Sequence, residues 1–195
     1  VMIRPATIGD LDAIMRLERA SFPSDAWSEA MMREELRSPH SRYVVWEEAA
    51  GIIGYAGLRA VAGARDGDVQ TIAIAESARG RGQGRMLLRT LIAAAHERGV
   101  RDLFLEVRAD NPVAQELYRS EGFAETGRRP RYYQPDDVDA IVMTLDVAGW
   151  AAARGAESAA SPTPTSQDRA NPAASGEESA NSAQTCEHPA GGWCT

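Results

Sequence analysis

Lysine is absent: all 21 basic side chains of the 195-residue sequence are arginine. A Walker-type phosphate loop, a Schiff-base lysine and a lysine nucleophile are thereby excluded, since each needs an ε-amine. Cysteine is nearly absent too, and Cys186 and Cys194 both fall in the last ten residues. The rest of the chain therefore holds no disulfide, which fits a reducing, cytoplasmic location. No apolar run approaches the ~20 residues needed to span a bilayer, and the opening VMIRPATIGD has no signal-peptide core. Membrane association is not expected. Basic charge does not dominate, with a net charge of −7 and a pI near 5.1, so direct nucleic-acid binding through charge is not expected either. What remains, 44% hydrophobic and 25% charged, is the composition of a globular domain.

That domain has a visible end in the composition. From Ala148 to the C-terminus there is no Val, Ile, Leu, Met, Phe or Tyr, and the 48 residues include 13 alanines, 6 serines, 5 glycines and 4 prolines. So little apolar surface cannot offset the entropy of ordering a backbone. The expectation is a domain over residues 1–147 and a low-complexity, disordered tail over 148–195. Cys186, His188 and Cys194 in the tail have the spacing C-x-H-x5-C, which matches no strong zinc pattern and lacks a fourth ligand. No metal is expected.

Periodicity orders the elements. Residues 2–4 read as a strand, and Thr7 caps a helix carrying Leu11, Ile14, Met15 and Leu17. The stretch FPSD breaks it at Phe22, and Ser28 caps a second helix through Met31, Met32 and Leu36. Residues 42–48 (RYVVWEE) and 52–62 (IIGYAGLRAVA) read as a hairpin joined at Gly51, and 68–75 (DVQTIAIA) as a further strand. A helix over 85–98 repeats Leu87, Leu88, Leu91, Ile92 and Ala95 on one face and ends at Gly99. LFLEV (103–107) is a strand, Asn111 and Pro112 cap and start a short helix, and 123–126 and 140–145 close the fold as strands. This predicts an α/β layer built on a mixed sheet.

Between strand and helix lies RGRGQGR (79–85). Its glycines allow a tight turn with exposed N–H groups. Together with the positive end of the helix and Arg79, Arg81 and Arg85, they suit an anion such as a diphosphate. A plain glycine-rich turn and an arginine-glycine nucleic-acid segment remain open on this motif alone. A dinucleotide fingerprint does not fit. G-x-G-x-x-G read from Gly80 puts Arg85 at the third glycine, and read from Gly82 it puts Leu87 there.

The motif Arg79-x-x-Gly82-x-Gly84 is followed by LEVRADN (105–111) and ELYRSEGF (116–123). Together they resemble the GNAT acyltransferase superfamily and, within it, the RimI-type ribosomal-protein-alanine N-acetyltransferases. The likeness runs from about residue 2 to 145 and includes Trp27, SPHSRY (38–43) and RRPRYY (128–133). It implies a central mixed, mostly antiparallel sheet flanked by helices. The implied activity is transfer of the acetyl group of acetyl-CoA to an amine. The acceptor would be the N-terminal alanine of small-subunit ribosomal protein number eighteen.

The resemblance also implies roles. Backbone matching Ile72, Ala73 and Ile74 pairs with the pantetheine arm and the acetyl carbonyl. Gly80, Arg81, Gly82, Gln83, Gly84 and Arg85 hold the pyrophosphate, and Asn111 contacts the cofactor while capping its helix. Glu106 matches the general base and Tyr118 the general acid. Strand alternation puts Glu106 opposite Leu103, Leu105 and Val107, where it could equally be a solvated charge paired with Arg108. Tyr118 shares a helix face with Ala114 and Leu117, where it could equally be a core tyrosine. Trp27, Tyr132, Tyr133, Asp136, Asp137 and Asp139 are candidates for a basic-peptide groove or, alternatively, for a hydrophobic anchor and an acidic turn. Two further functions stay open: acetylation of a small-molecule amine, and a CoA-binding module without turnover.

Overall fold

The computed structural model describes residues 2–160. Its strands are β1 (Met2–Pro5), β2 (Ser41–Glu48), β3 (Gly51–Arg59), β4 (Asp66–Ile74), β5 (Asp102–Arg108), β6 (Ala124–Tyr133) and β7 (Val138–Asp146). Its helices are α1 (Leu11–Ser21), α2 (Glu29–Arg37), α3 (Gln83–Glu97), α4 (Pro112–Ser120) and α5 (Val147–Ala160). The strands form one sheet in the order β1-β2-β3-β4-β5-β7-β6. Every neighbouring pair is antiparallel except β4 with β5. The mixed sheet read from the residue pattern, and its mostly antiparallel order implied by the resemblance, are what the chain forms.

Two apolar layers sandwich this sheet. On one face α1 and α2 bury Leu11, Ile14, Met15 and Met32 against Tyr43, Val45, Tyr55 and Ala73. On the other, α3 buries Leu87, Leu88, Leu91 and Ile92 against Val44, Ala56, Leu103, Leu105 and Met143. Adjacent residues such as Val44 and Val45 serve opposite layers, as the period of two in a strand requires. Ser28 caps α2 by accepting from the Met31 N–H at 3.2 Å. At the start of the first helical segment the cap works through Asp10, whose carboxylate accepts from the Thr7 N–H at 2.7 Å.

The parallel pair shapes the site. β4 and β5 are in register only at Asp66↔Asp102, Gly67↔Leu103 and Asp68↔Phe104. Beyond Phe104 β5 keeps pairing with β7, and beyond Asp68 β4 keeps pairing with β3. The two central strands thus part into an open V. A bulge helps: Leu58 faces Val69 but Gly57 faces Thr71, so Gln70 is an extra residue in β4.

Two expectations need correction. The domain does not end at Val147, because α5 runs on to Ala160. Val147 is fully buried, and Trp150 packs on the α3-side core. Alanines are strong helix formers, and Trp150 together with the Arg154–Glu121 ion pair anchors the helix, so counting large aliphatic residues understated this segment. Second, β6 is ten residues long and takes in RRPRYY. Pro130 is tolerated because β6 is the sheet's edge and its register with β7 shifts between Arg129 and Tyr133. The remainder of the tail, with both cysteines and His188, lies outside the described residues.

Candidate active site

The V between β4 and β5 opens into a pocket of about 80 Å³. Its walls come from β4 (Val69, Thr71, Ile72), β5 (Leu105, Glu106, Val107, Arg108), α4 with its cap (Asn111, Ala114, Tyr118) and Phe22 at the end of α1. Ile72, distant in sequence, is thus brought to one cavity with Glu106, Asn111 and Tyr118.

Glu106 projects from the sheet face opposite Leu103, Leu105 and Val107, which are all buried in the α3-side core. It is not a solvated terminal charge, since its side chain is only 10% exposed. Nor is it paired with Arg108, whose guanidinium turns to Asp110 at 3.0 Å and Asp136 at 3.1 Å. Its partner is Arg129 of β6, with Nε 3.0 Å from Glu106 Oε1. Glu106 Oε2 is buried and has no hydrogen-bond partner among the described residues.

Tyr118 packs at 5.9 Å from the Phe123 ring. The Tyr118 side chain is one of the groups lining the pocket. Burial pushes its pKa up to about 12, so the phenol stays protonated at neutral pH. The helix carrying it is tied to β5 by buried Gln115, whose Nε2 donates to the carbonyls of Arg108 and Ala109, both at 3.0 Å. Asn111 caps α4 through Oδ1, which accepts from the Ala114 N–H at 3.1 Å, and it lines the pocket as well.

The opposite wall is braced from below. Glu18 of α1, 1% exposed, accepts from the Trp27 N–H at 2.9 Å and from the Tyr55 hydroxyl. The Tyr55 oxygen also lies 3.2 Å from Thr71 Oγ1. Burial raises the Glu18 pKa. This network joins the α1–α2 connection, which supplies Phe22, to the pocket-lining part of β4.

The glycine loop stands at the end of β4, outside the pocket. Gly80 and Gly82 take φ values of 78° and 85°, a region open to glycine at little cost. Gly82 is the N-cap of α3, and the first intrahelical bond runs from the Met86 N–H to the Gly82 carbonyl at 3.1 Å. The amides of Gln83, Gly84 and Arg85 precede that bond and are free to meet an anion. Gln83 is itself buried with its Oε1 unpartnered, so only its backbone faces the loop. Ile72, Ala73 and Ile74 pair with Ala56, Tyr55 and Gly54 of β3. Their other edge faces the V and is left open by the departure of β5.

For several groove candidates the structure fits the alternative reading, a hydrophobic anchor and an acidic turn. Trp27 and Tyr133 are 7% and 3% exposed and belong to the interior. Asp137 and Asp139 serve the β6–β7 turn, accepting from Gln134 Nε2 at 2.8 Å and the Arg131 N–H at 2.9 Å. Asp136 accepts from Ser24 Oγ at 3.2 Å and pairs with Arg108 of the pocket wall at 3.1 Å. Sequence reasoning missed Phe22 and Arg129. Phe22 showed only as a helix breaker, and no local pattern joins Arg129 to Glu106.

Comparison with known proteins agrees with this geometry. The acetyltransferase (GNAT) family model matches residues 11–123. The N-alpha-acetyltransferase RimI of Mycobacterium tuberculosis is 39% identical over 150 residues, covering 73% of this chain and 93% of that protein. A putative [ribosomal protein bS18]-alanine N-acetyltransferase of Bacillus subtilis is 32% identical over 145 residues, covering 74% and 95%. Among solved structures, the ribosomal-protein-S18-alanine N-acetyltransferase of Escherichia coli superposes with a TM-score of 0.67 at 30% identity, over 75% of this chain and 93% of that one. The splayed β4–β5 pair, the glycine loop opening α3 and these matches place the chain in the GNAT acetyltransferase family.

Proposed function

We propose that this protein is an N-alpha-acetyltransferase that moves the acetyl group of acetyl-CoA to the N-terminal amine of a protein. The acceptor we infer is the N-terminal alanine of a bS18-like ribosomal protein, the substrate named for its relatives. The observation that carries the reading is the meeting of Glu106 and Tyr118 in one small pocket where β4 and β5 part.

Glu106 is the general base. Its unpartnered Oε2 takes a proton from the acceptor's α-ammonium, and the freed amine attacks the thioester carbonyl directly. An α-amine, with pKa about 7.7–8.0, needs less help than a lysine at about 10.4. As the C–S bond breaks, Tyr118 gives its phenolic proton to the departing sulfur, the role its protonated state permits, and the proton left on the new amide nitrogen returns to the phenolate. The open edge of β4 at Ile72, Ala73 and Ile74 supplies backbone N–H groups to the pantetheine arm and to the developing oxyanion. The amides at Gly80, Arg81, Gly82, Gln83, Gly84 and Arg85 receive the pyrophosphate, and Asn111 contacts the same ligand. All these groups are the chain's own, and no metal enters the scheme.

The test is acetylation by the full chain of three acceptors, read by peptide mass because Cys186 and Cys194 would react with a thiol reagent. The acceptors are a peptide beginning Ala-Arg-Tyr with a free N-terminus, an N-blocked lysine peptide, and spermidine. The expected result is acetylation of the first alone. Glu106→Gln and Tyr118→Phe should each lower kcat by about 10²-fold or more. Acetylation of spermidine alone would replace the protein acceptor with a small amine.

A further inference from the structure

We propose that Arg129 is a positioning residue that holds the Glu106 carboxylate in its working orientation, one oxygen on the guanidinium and the other turned to the acceptor. This rests on the reading of Glu106 as general base.

A carboxylate has two oxygens and roughly four acceptor sites. Here Oε1 is taken by Arg129 Nε at 3.0 Å, whereas Oε2 is buried and unpaired. An unsatisfied buried acceptor is costly, so a side chain free to turn would not settle in this state. Arg129 supplies the restraint, and Arg108, two residues along β5, is committed to Asp110 and Asp136. The division of labour between the two oxygens leaves Oε2 as the one wholly without a partner among the described residues, on a side chain that lines the pocket.

The sheet explains how an edge strand reaches the base. Glu106 faces Val142 of β7, and Val142 faces Gly127 of β6. Arg129 is two residues beyond Gly127 and so points from the same face, which lets it reach over β7. Its own direction is fixed from the far side. The guanidinium lies 5.5 Å from the Tyr132 ring centroid, and Tyr132 packs edge-on, at 5.2 Å and 88°, against the buried Tyr133. The register shift after Arg129 and the positive φ of 51° at Arg131 make room for this arrangement. An irregular edge strand thereby reaches the base across β7.

The experiment compares wild type, Arg129→Ala, Arg129→Lys, Glu106→Gln and the Glu106→Gln/Arg129→Ala double variant, all as full chains with the Ala-Arg-Tyr peptide. Arg129→Ala should lower kcat about tenfold, the scale of a misplaced catalytic group, with acetyl-CoA KM within about twofold and Tm nearly unchanged. Arg129→Lys should recover a good part of the loss. In the Glu106→Gln background Arg129→Ala should cost nothing further, because its effect runs through Glu106. The proposal is overturned if Arg129→Ala keeps full kcat or loses as much in the Glu106→Gln background. It is equally overturned if acetyl-CoA KM rises and Tm falls together with the loss of kcat, or if Arg129→Ala raises peptide KM without loss of kcat. Full activity in Glu106→Gln would instead overturn the base assignment itself.

Discussion

Glu121 Oε1 lies 2.6 Å from Arg85 Nη1, joining the end of α4 to the first turn of α3 just after the glycine loop. The same carboxylate, with no exposed side-chain surface, also meets Arg89 at 2.8 Å and Arg154 of α5 at 3.0 Å. One buried acid therefore fixes three helices. Burial alone would raise its pKa, but the three arginines, Arg89 first, outweigh that and hold it below the ordinary carboxylate range.

Glu121→Gln keeps the shape and removes the charge that three cations share. The arginines are each about one-third exposed, so water recovers part of the loss. The expected destabilisation is about 2 kcal/mol, below the 3–5 typical of a fully buried pair. A group with a depressed folded-state pKa stabilises above its unfolded pKa and loses that contribution as pH falls through the folded value. Urea melts of wild type and variant should therefore differ at pH 7 and converge at strongly acidic pH.

The helix α5 should be needed for the fold although its composition resembles that of a tail. Trp150 packs on the α3-side core, and its ring lies 4.8 Å from the Arg154 guanidinium that reaches Glu121. A chain stopped at Val147 loses both side chains. It should melt several degrees lower and be destabilised by about 2–4 kcal/mol, on the scale of deleting a large apolar anchor.

How far the sequence could be read depends on the range of the interactions involved. α2 was legible because Ser28 and the apolar spacing of Met32 and Leu36 act within two turns. Strand β5 was legible because alternation alone separates Glu106 from Leu105 and Val107. The glycine loop was legible because positive φ at Gly80 and Gly82 requires the residue type. What could not be read is long in reach. The departure of β4 from β5 depends on a bulge at Gln70 set by pairing with β3. The partner of Glu106 sits across a strand, and α5 is secured by a carboxylate 33 residues before Arg154. Buried Trp27 and Tyr133 look in sequence like any aromatic near a polar turn.

Asp68, where β4 and β5 last touch, should set a pH slope on stability. Burial, followed by the charges of Asp66 and Glu106, raises its pKa to about 6, against about 3.9 for an unperturbed aspartate. The folded protein therefore holds this proton more tightly than the unfolded chain. Stability is greatest with Asp68 neutral and declines as pH rises from about 4 to about 6. Asp68→Asn should flatten that segment of the Tm-against-pH curve. It should stabilise the protein at pH 7.5 by about 1 kcal/mol once solvent screening is allowed for.

Gly82 is the residue whose replacement should separate cofactor binding from catalysis. Its φ of 85° turns the chain from the glycine loop into α3, and a Cβ built there meets nothing within 4 Å. Strain is thus the sole cost of Gly82→Ala, about 1–2 kcal/mol for a non-glycine residue held in the left-handed region. Relief of that strain rotates the peptide plane and swings the Gln83, Gly84 and Arg85 amides away from a common focus. An anion held by those amides loses part of its binding, and acetyl-CoA KM should rise about tenfold, the equivalent of one to two hydrogen bonds. The pocket holding Glu106 and Tyr118 does not include the loop, so kcat at saturating acetyl-CoA should stay within about twofold, the pattern of lost uniform binding. Steady-state kinetics with both substrates varied, beside a thermal melt, measures the two effects separately. A fall in kcat as large as the rise in KM would mean that the loop acts on the reacting atoms as well as on the phosphates.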